Sequence, residues 1–92
     1  MVSKEPVVFF GANTIDLAKW KVKKLEGAAR GLLSNRPRLY AFINADDVTA
    51  DRFIVTLGRK PGEAALTYEA TIVDEDTNPY LKCLSKIRNH ES

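Results

Sequence analysis

Between Asn13 and Pro37, the apolar residues Ile15, Ala18, Val22, Leu25, Ala29, Leu32 and Leu33 recur at helical spacing. Steps of three and four put them on one stripe of an α-helix, and such a stripe faces a core. Asn13 or Thr14 can cap this helix, and Asp16 suits its first turn. It should run to about Ser34, because the residue before Pro37 is biased away from helix. Gly27 and Gly31 weaken its second half, at about 1 kcal/mol each against alanine.

The rest of the chain reads mainly as strands. Val7 to Phe10 is a short β-branched and aromatic run stopped by Gly11, apolar on both sides and so expected inside a sheet. Arg38 to Ala45 and Arg52 to Leu57 are two more strands, separated by a loop opened by Asp46-Asp47. Lys60-Pro61-Gly62 is a turn. Ala65 to Val73 alternates, with Leu66, Tyr68, Ala70 and Ile72 on one side and Thr67, Glu69 and Thr71 on the other, which leaves one face wet. Asn78 and Pro79 can open a final helix with Tyr80, Cys83, Leu84 and Ile87 as its stripe. The expected architecture is α+β in the order β-α-β-β-β-α. It has a four-stranded sheet, its last three strands an antiparallel meander, with both helices on one face.

All 92 residues are expected to form a single domain (1–92), with neither repeat nor linker. Hydrophobic residues make up 45% and charged residues 28%, which suits a globule and excludes a disordered chain. Cys83 is the only cysteine, so an intrachain disulfide is excluded and a reducing, cytoplasmic setting is expected. The apolar run near the start is too short for a signal core or a membrane span.

Chemistry is sparse. His90 lies two residues from the end of the chain, where a general base is poorly held. Cys83 sits on the final stripe and is expected to be buried, with Tyr80 beside it. Asp74-Glu75-Asp76 lacks the spacing of a calcium loop, and acids before a helix are explained by its dipole. No catalytic residue, metal site or cofactor is expected, and the chain is read as a binder and not an enzyme.

The charge is segregated. The net formal charge is only +2, yet Lys19, Lys21, Lys23, Lys24, Arg30, Arg36 and Arg38 fall within one stretch, opposed by Glu26 alone. Lys82, Lys86 and Arg88 form a second basic set. If both helices lie on one side of the sheet, Lys19, Lys23, Lys24, Arg30, Lys82, Lys86 and Arg88 can make a positive groove for a phosphate backbone. An ordinary solvated face is the plainer alternative. Trp20 lies off the core stripe, either covering a neighbouring segment or serving as an interface residue.

Phe9-Phe10-Gly11-Ala12-Asn13, Val22-Lys23-Lys24-Leu25, Pro61-Gly62 and Asp74-Glu75-Asp76-Thr77-Asn78-Pro79-Tyr80 together resemble the short ribosome hibernation promoting factors, also called ribosome-associated inhibitor proteins. Nearly the whole chain takes part in the resemblance. It departs from the family at Leu81-Lys82, at Gly27 and Gly31, and in a weakly basic C-terminal exit. The resemblance implies a βαβββα fold. It also implies binding of ribosomal RNA on the small ribosomal subunit and inhibition of translation. Lys23 and Lys24 match the family's motif, and Lys82 and Lys86 match by location.

Two rivals stand beside it. A double-stranded-RNA-binding domain shares the order helix, three strands, helix, but Asp74-Glu75-Asp76 falls where that module needs lysines. A protein-interaction domain, of a regulatory or phage-type inhibitor kind, would use an open sheet face carrying Tyr40 and Phe42, together with Ile54 and Trp20. It would bind a protein partner or a second copy as a homodimer. An exposed aromatic patch without a basic groove is the feature that favours this rival.

Overall fold

The computed structural model describes residues 7–46, 49, 51–60 and 63–86, with the side chains of Ser85 and Lys86 excepted. The elements are strand β1 (Val8–Phe10), a 3-10 turn (Ala12–Thr14), helix α1 (Lys19–Leu33), and strands β2 (Tyr40–Ala45), β3 (Arg52–Gly58), β4 (Leu66–Thr71) and β5 (Tyr80–Lys86). They form one five-stranded mixed sheet in the order β1-β2-β3-β4-β5, so the α+β class holds. β1 runs parallel to β2, and α1 provides the crossover that parallel neighbours require. The other pairings are antiparallel.

Three expectations are corrected. The final segment is a strand, not a helix, which makes five strands and one helix. Tyr80, Cys83 and Leu84 do suit a helical stripe, but Leu81 and Cys83 equally suit one face of a strand, and seven residues cannot separate the two periods. A helix this short is marginal. As a strand the segment pairs along β4, with a bulge between Thr67 and Tyr68 of the register. The second correction concerns β1, which lies at the sheet's edge and not inside it.

Third, α1 begins at Lys19 and not at Asn13. The two capping candidates are otherwise engaged. Asn13 Nδ2 donates to the Ala45 carbonyl at 2.6 Å, and Thr14 Oγ1 donates to the Gly11 carbonyl at 2.5 Å. They fasten the β1–α1 connection to the end of β2. Ile15 is therefore 78% exposed and leaves the stripe. Ala18 takes the cap position with no side-chain bond, and the first turn carries Lys19 and Lys21 with no acid, which opposes the helix dipole. Burial must hold this helix in place.

That burial is on one face of the sheet. Leu25, Ala29 and Leu33 of α1 meet Ala41, Ile43, Phe53, Val55, Leu57, Ala70 and Ile72, all essentially inaccessible to water. Trp20, Leu17, Leu32, Val8, Phe10 and Tyr68 pack around them, half-buried. A buried side chain of this size contributes about 1.5–3 kcal/mol. No helix of the described residues is long and apolar enough to cross a membrane.

Glycines divide into two kinds. A methyl group at Gly11 would meet the Asn44 side chain at 1.8 Å, and one at Gly58 would meet the Glu63 carbonyl oxygen at 2.0 Å. At Gly27 and Gly31 it would meet nothing within 4 Å. Gly27→Ala and Gly31→Ala are thus expected to raise unfolding free energy by about 0.5–1 kcal/mol each, through helix propensity and a less disordered unfolded chain. Gly58→Ala should lower it, because the Glu63 backbone is in the way, and Gly11→Ala should lower it less, because the exposed Asn44 side chain can move aside. Denaturant titration of the four variants checks the contrast.

Candidate functional site

Strand alternation sorts the sheet's side chains between two faces. Ala41, Ile43, Phe53, Val55, Leu57 and Ala70 point at α1. The opposite parity carries Phe9, Tyr40, Phe42, Asn44, Arg52, Ile54, Thr56, Thr67, Glu69, Thr71, Tyr80 and Lys82, and among the described residues no element covers it. The apolar density is at its β1–β2 end. Phe9 is 44% exposed, stacks on Phe42 with ring centroids 5.2 Å apart, and meets Tyr40 edge-on at 6.1 Å. Edge-to-face and offset pairs of this kind hold aromatic rings in a fixed arrangement. The three rings form one contiguous aromatic cluster.

The segment after β3 folds back beside the cluster. Gly58, opposite Tyr40, leaves room for the Glu63 backbone, and Glu63 Oε1 accepts a hydrogen bond from the Arg59 amide at 2.6 Å. Phe9, Phe42, Asn44, Thr56, Glu63 and Ala64 line a shallow cleft of about 350 Å³. Farther along the face, Arg52 Nε and the Glu69 carboxylate form an ion pair, and Lys82 stands next to Glu69 in the register. With Glu63, the face holds charges of both signs. The sequence had already singled out Tyr40 and Phe42. It missed Phe9, because a strand apolar on both sides reads as interior; its place at the edge is what exposes the ring.

The expected RNA-binding residues divide between surfaces. Lys19, Lys23 and Arg30 are exposed on α1, and Arg30 pairs with Glu26 at 3.1 Å. Lys24 is half-buried on the same helix, close enough to Asp74 to favour its ionised form. Lys82 lies on β5 with the parity of the open face, opposite α1, so the two-helix groove does not form. Lys86 also belongs to β5, and its side chain lies outside the described residues. Arg88, Ile87, His90 and the Pro61-Gly62 turn lie outside them too. Trp20 is on the α1 side, half-buried against the core with Lys21 Nζ 5.6 Å from its ring centroid, so it does not join Tyr40 and Phe42 in one patch.

The acidic turn has a local task in place of the expected helix-dipole role. Asp74 accepts hydrogen bonds from Thr77 Oγ1 at 2.6 Å and the Asp76 amide at 2.9 Å. The Thr77 bond first, then the backbone amides and Lys24, hold the Asp74 carboxyl below the usual carboxylate range. This shapes the β4–β5 turn. Among the described residues, no group of three or more His, Cys, Asp or Glu side chains could hold a metal ion.

Cys83 and Tyr80 are not core residues. Tyr80 is 68% exposed, and Cys83 is exposed because α1 does not reach over β5. Cys83 in native protein should be open to a thiol reagent, and Cys83→Ser should cost less than the about 1–3 kcal/mol expected of a hydroxyl placed in a core. For Asp74 the folded pKa is depressed, so its stabilisation is present above the unfolded value and is lost as pH falls through the folded one. The stability gap between wild type and Asp74→Asn should accordingly close under acid, as pH-dependent denaturant midpoints would show. Comparison of the chain with protein-family models, curated proteins and solved structures gives no match.

Proposed function

We propose that this chain is a non-catalytic protein-binding domain whose docking surface is the open sheet face. The observation that carries this is the aromatic cluster on that face, in which exposed Phe9 stacks on half-buried Phe42 and meets half-buried Tyr40 edge-on. Exposed aromatic clusters rimmed by polar side chains are typical of protein interfaces. Here the rim is Asn44, Thr56, Glu63 and the Arg52–Glu69 pair. With Glu63 and Glu69 beside Arg52 and Lys82, the face has no excess of positive charge to attract phosphate.

A second reading rests on the other side of the molecule. Lys19, Lys23 and Arg30 are exposed along α1, and this supports binding of a polyanion. The family resemblance gives that reading its target, ribosomal RNA on the small subunit, with inhibition of translation as the consequence. It has fewer residues than the sequence suggested, since Lys82 stands on the opposite face. Protein binding through the aromatics is therefore placed first.

The two readings separate in one experiment. Tagged wild type, Phe9→Lys and the triple variant Lys19→Glu, Lys23→Glu, Arg30→Glu would each be incubated with lysate from cells expressing the protein, and the retained protein and RNA measured. The open-face reading expects retained protein to fall at least about 30-fold with Phe9→Lys, the effect of removing an aromatic anchor worth about 2 kcal/mol. It expects little change with the triple variant. Retained RNA that disappears with the triple variant and persists with Phe9→Lys would favour the polyanion reading instead.

A further inference from the structure

We infer that the cleft beside the rings holds an arginine side chain of a protein partner, with its stem on the aromatic wall and its guanidinium at Glu63. This rests on reading the open face as a protein-binding surface, and it names the group that the cleft recognises.

The cleft pairs an apolar wall with hydrogen-bond acceptors. The stacked rings of Phe9 and Phe42 supply the wall. The polar side chains among its lining residues are Asn44, Thr56 and Glu63, and no cation joins them. Thr56 Oγ1 donates its proton to the Phe42 carbonyl at 3.4 Å, which leaves a guest the lone pairs of the hydroxyl oxygen. Glu63 is held from two sides. Its backbone lies against Gly58, and its Oε1 accepts from the Arg59 amide at 2.6 Å. Among the described residues nothing donates to Oε2, so one carboxylate oxygen is left for a guest. Asn44 alone brings donors.

Such a lining suits a donor-rich cation on an apolar stem. An acidic guest would meet Glu63, and an aliphatic one would leave the carboxylate unanswered. Between the two basic side chains arginine fits better. Its guanidinium is planar, weakly hydrated, stacks on aromatic faces and donates to carboxylates. Length agrees as well. Glu63 lies against Gly58, in the row of Tyr40, and the row of Phe9, Phe42 and Thr56 is two residues away, about 7 Å along the strands. A long basic side chain spans that offset with its methylenes on the rings and its charged head at the carboxylate. The cations of the same face do not compete. Neither Arg52 nor Lys82 lines the cleft, and Arg52 is engaged by Glu69.

Titration with N-acetylarginine amide at constant ionic strength, followed by the backbone amide chemical shifts, tests the proposal. N-acetylcitrulline amide has nearly the same shape without the charge, and N-acetyllysine amide has the charge without the plane. The amides of Gly11, Asn44, Thr56 and Ala64 should shift and saturate with a dissociation constant of about 1–10 mM, while those of Lys19 and Lys23 on α1 stay in place. Citrulline should bind at least about fivefold more weakly, and lysine also more weakly than arginine. Glu63→Gln and Phe9→Ala should each weaken arginine binding about fivefold. Glutamine keeps an oxygen for the Arg59 amide, so that variant removes the charge and leaves the loop contact. No saturable shift at these amides, equal binding of citrulline or lysine, or indifference to Glu63→Gln would overturn the proposal. In the capture experiment, retained protein should fall with Glu63→Gln as it does with Phe9→Lys. Retention that needs Phe9 but not the Glu63 charge would remove the arginine proposal and leave the open-face reading standing, whereas retention indifferent to Phe9 would remove both.

Discussion

A helix with its side chains is about 10 Å across, whereas five strands set about 4.8 Å apart span roughly 20 Å. One helix therefore cannot shield one whole face of this sheet, still less both. The contact of Leu25, Ala29 and Leu33 with the inaccessible row on β2, β3 and β4 uses nearly all the cover that α1 can give. Everything notable about the surface follows from that mismatch. β5 falls beyond the helix, which leaves Cys83 in water although it has the parity of the core. The reverse face has no cover among the described residues, which leaves the rings of Phe9, Tyr40 and Phe42 at the solvent boundary.

The polar residues around this scaffold serve mainly to position it. Asn13 and Thr14, which look like helix caps, instead tie the chain after β1 to β2 and to Gly11. Asp74 and Thr77 shape the turn into β5. Gly11 and Gly58 make room for Asn44 and for the Glu63 backbone, and these two approaches frame the cleft beside the rings. The residues that shape the candidate surface are thus small or hydrogen-bonded, and the surface itself is aromatic.

Much of this was legible in the sequence, for identifiable reasons. Leu66, Tyr68, Ala70 and Ile72 alternate with Thr67, Glu69 and Thr71, and the strand's two faces are read directly from that period. Leu25, Ala29 and Leu33 lie on a stripe long enough to have only one interpretation. Tyr80 to Lys86 is too short for that, and its state was decided by the unpaired edge of β4, a tertiary fact. That single misassignment moved Lys82 to the wrong face, and with it the idea of a basic groove shared by two helices. The start of α1 failed similarly, because Asn13 has a partner in Ala45, distant in sequence. Of Tyr40, Phe42, Ile54 and Trp20, which were read as candidates for an open sheet face, the first three have that parity, and Trp20 packs on the α1 side instead.

The poorly capped helix also has a bearing on how the chain folds. With Ala18 at its cap, Lys19 and Lys21 against its dipole and Gly27 and Gly31 in its body, α1 is a weak helix in isolation. The meander from β2 to β5, by contrast, is built from neighbouring strands and needs only short loop closures. The hairpins should form first and offer an apolar bed on which the helix condenses, with β1 recruited last through the crossover. Kinetic φ-values near zero at Leu25 and Ala29, and high values at Val55, would mark that order, and the reverse would refute it. Until α1 docks, both faces of the sheet are bare. The moment of greatest exposure to misassociation is thus set by a helix that the sequence makes slow to persist on its own.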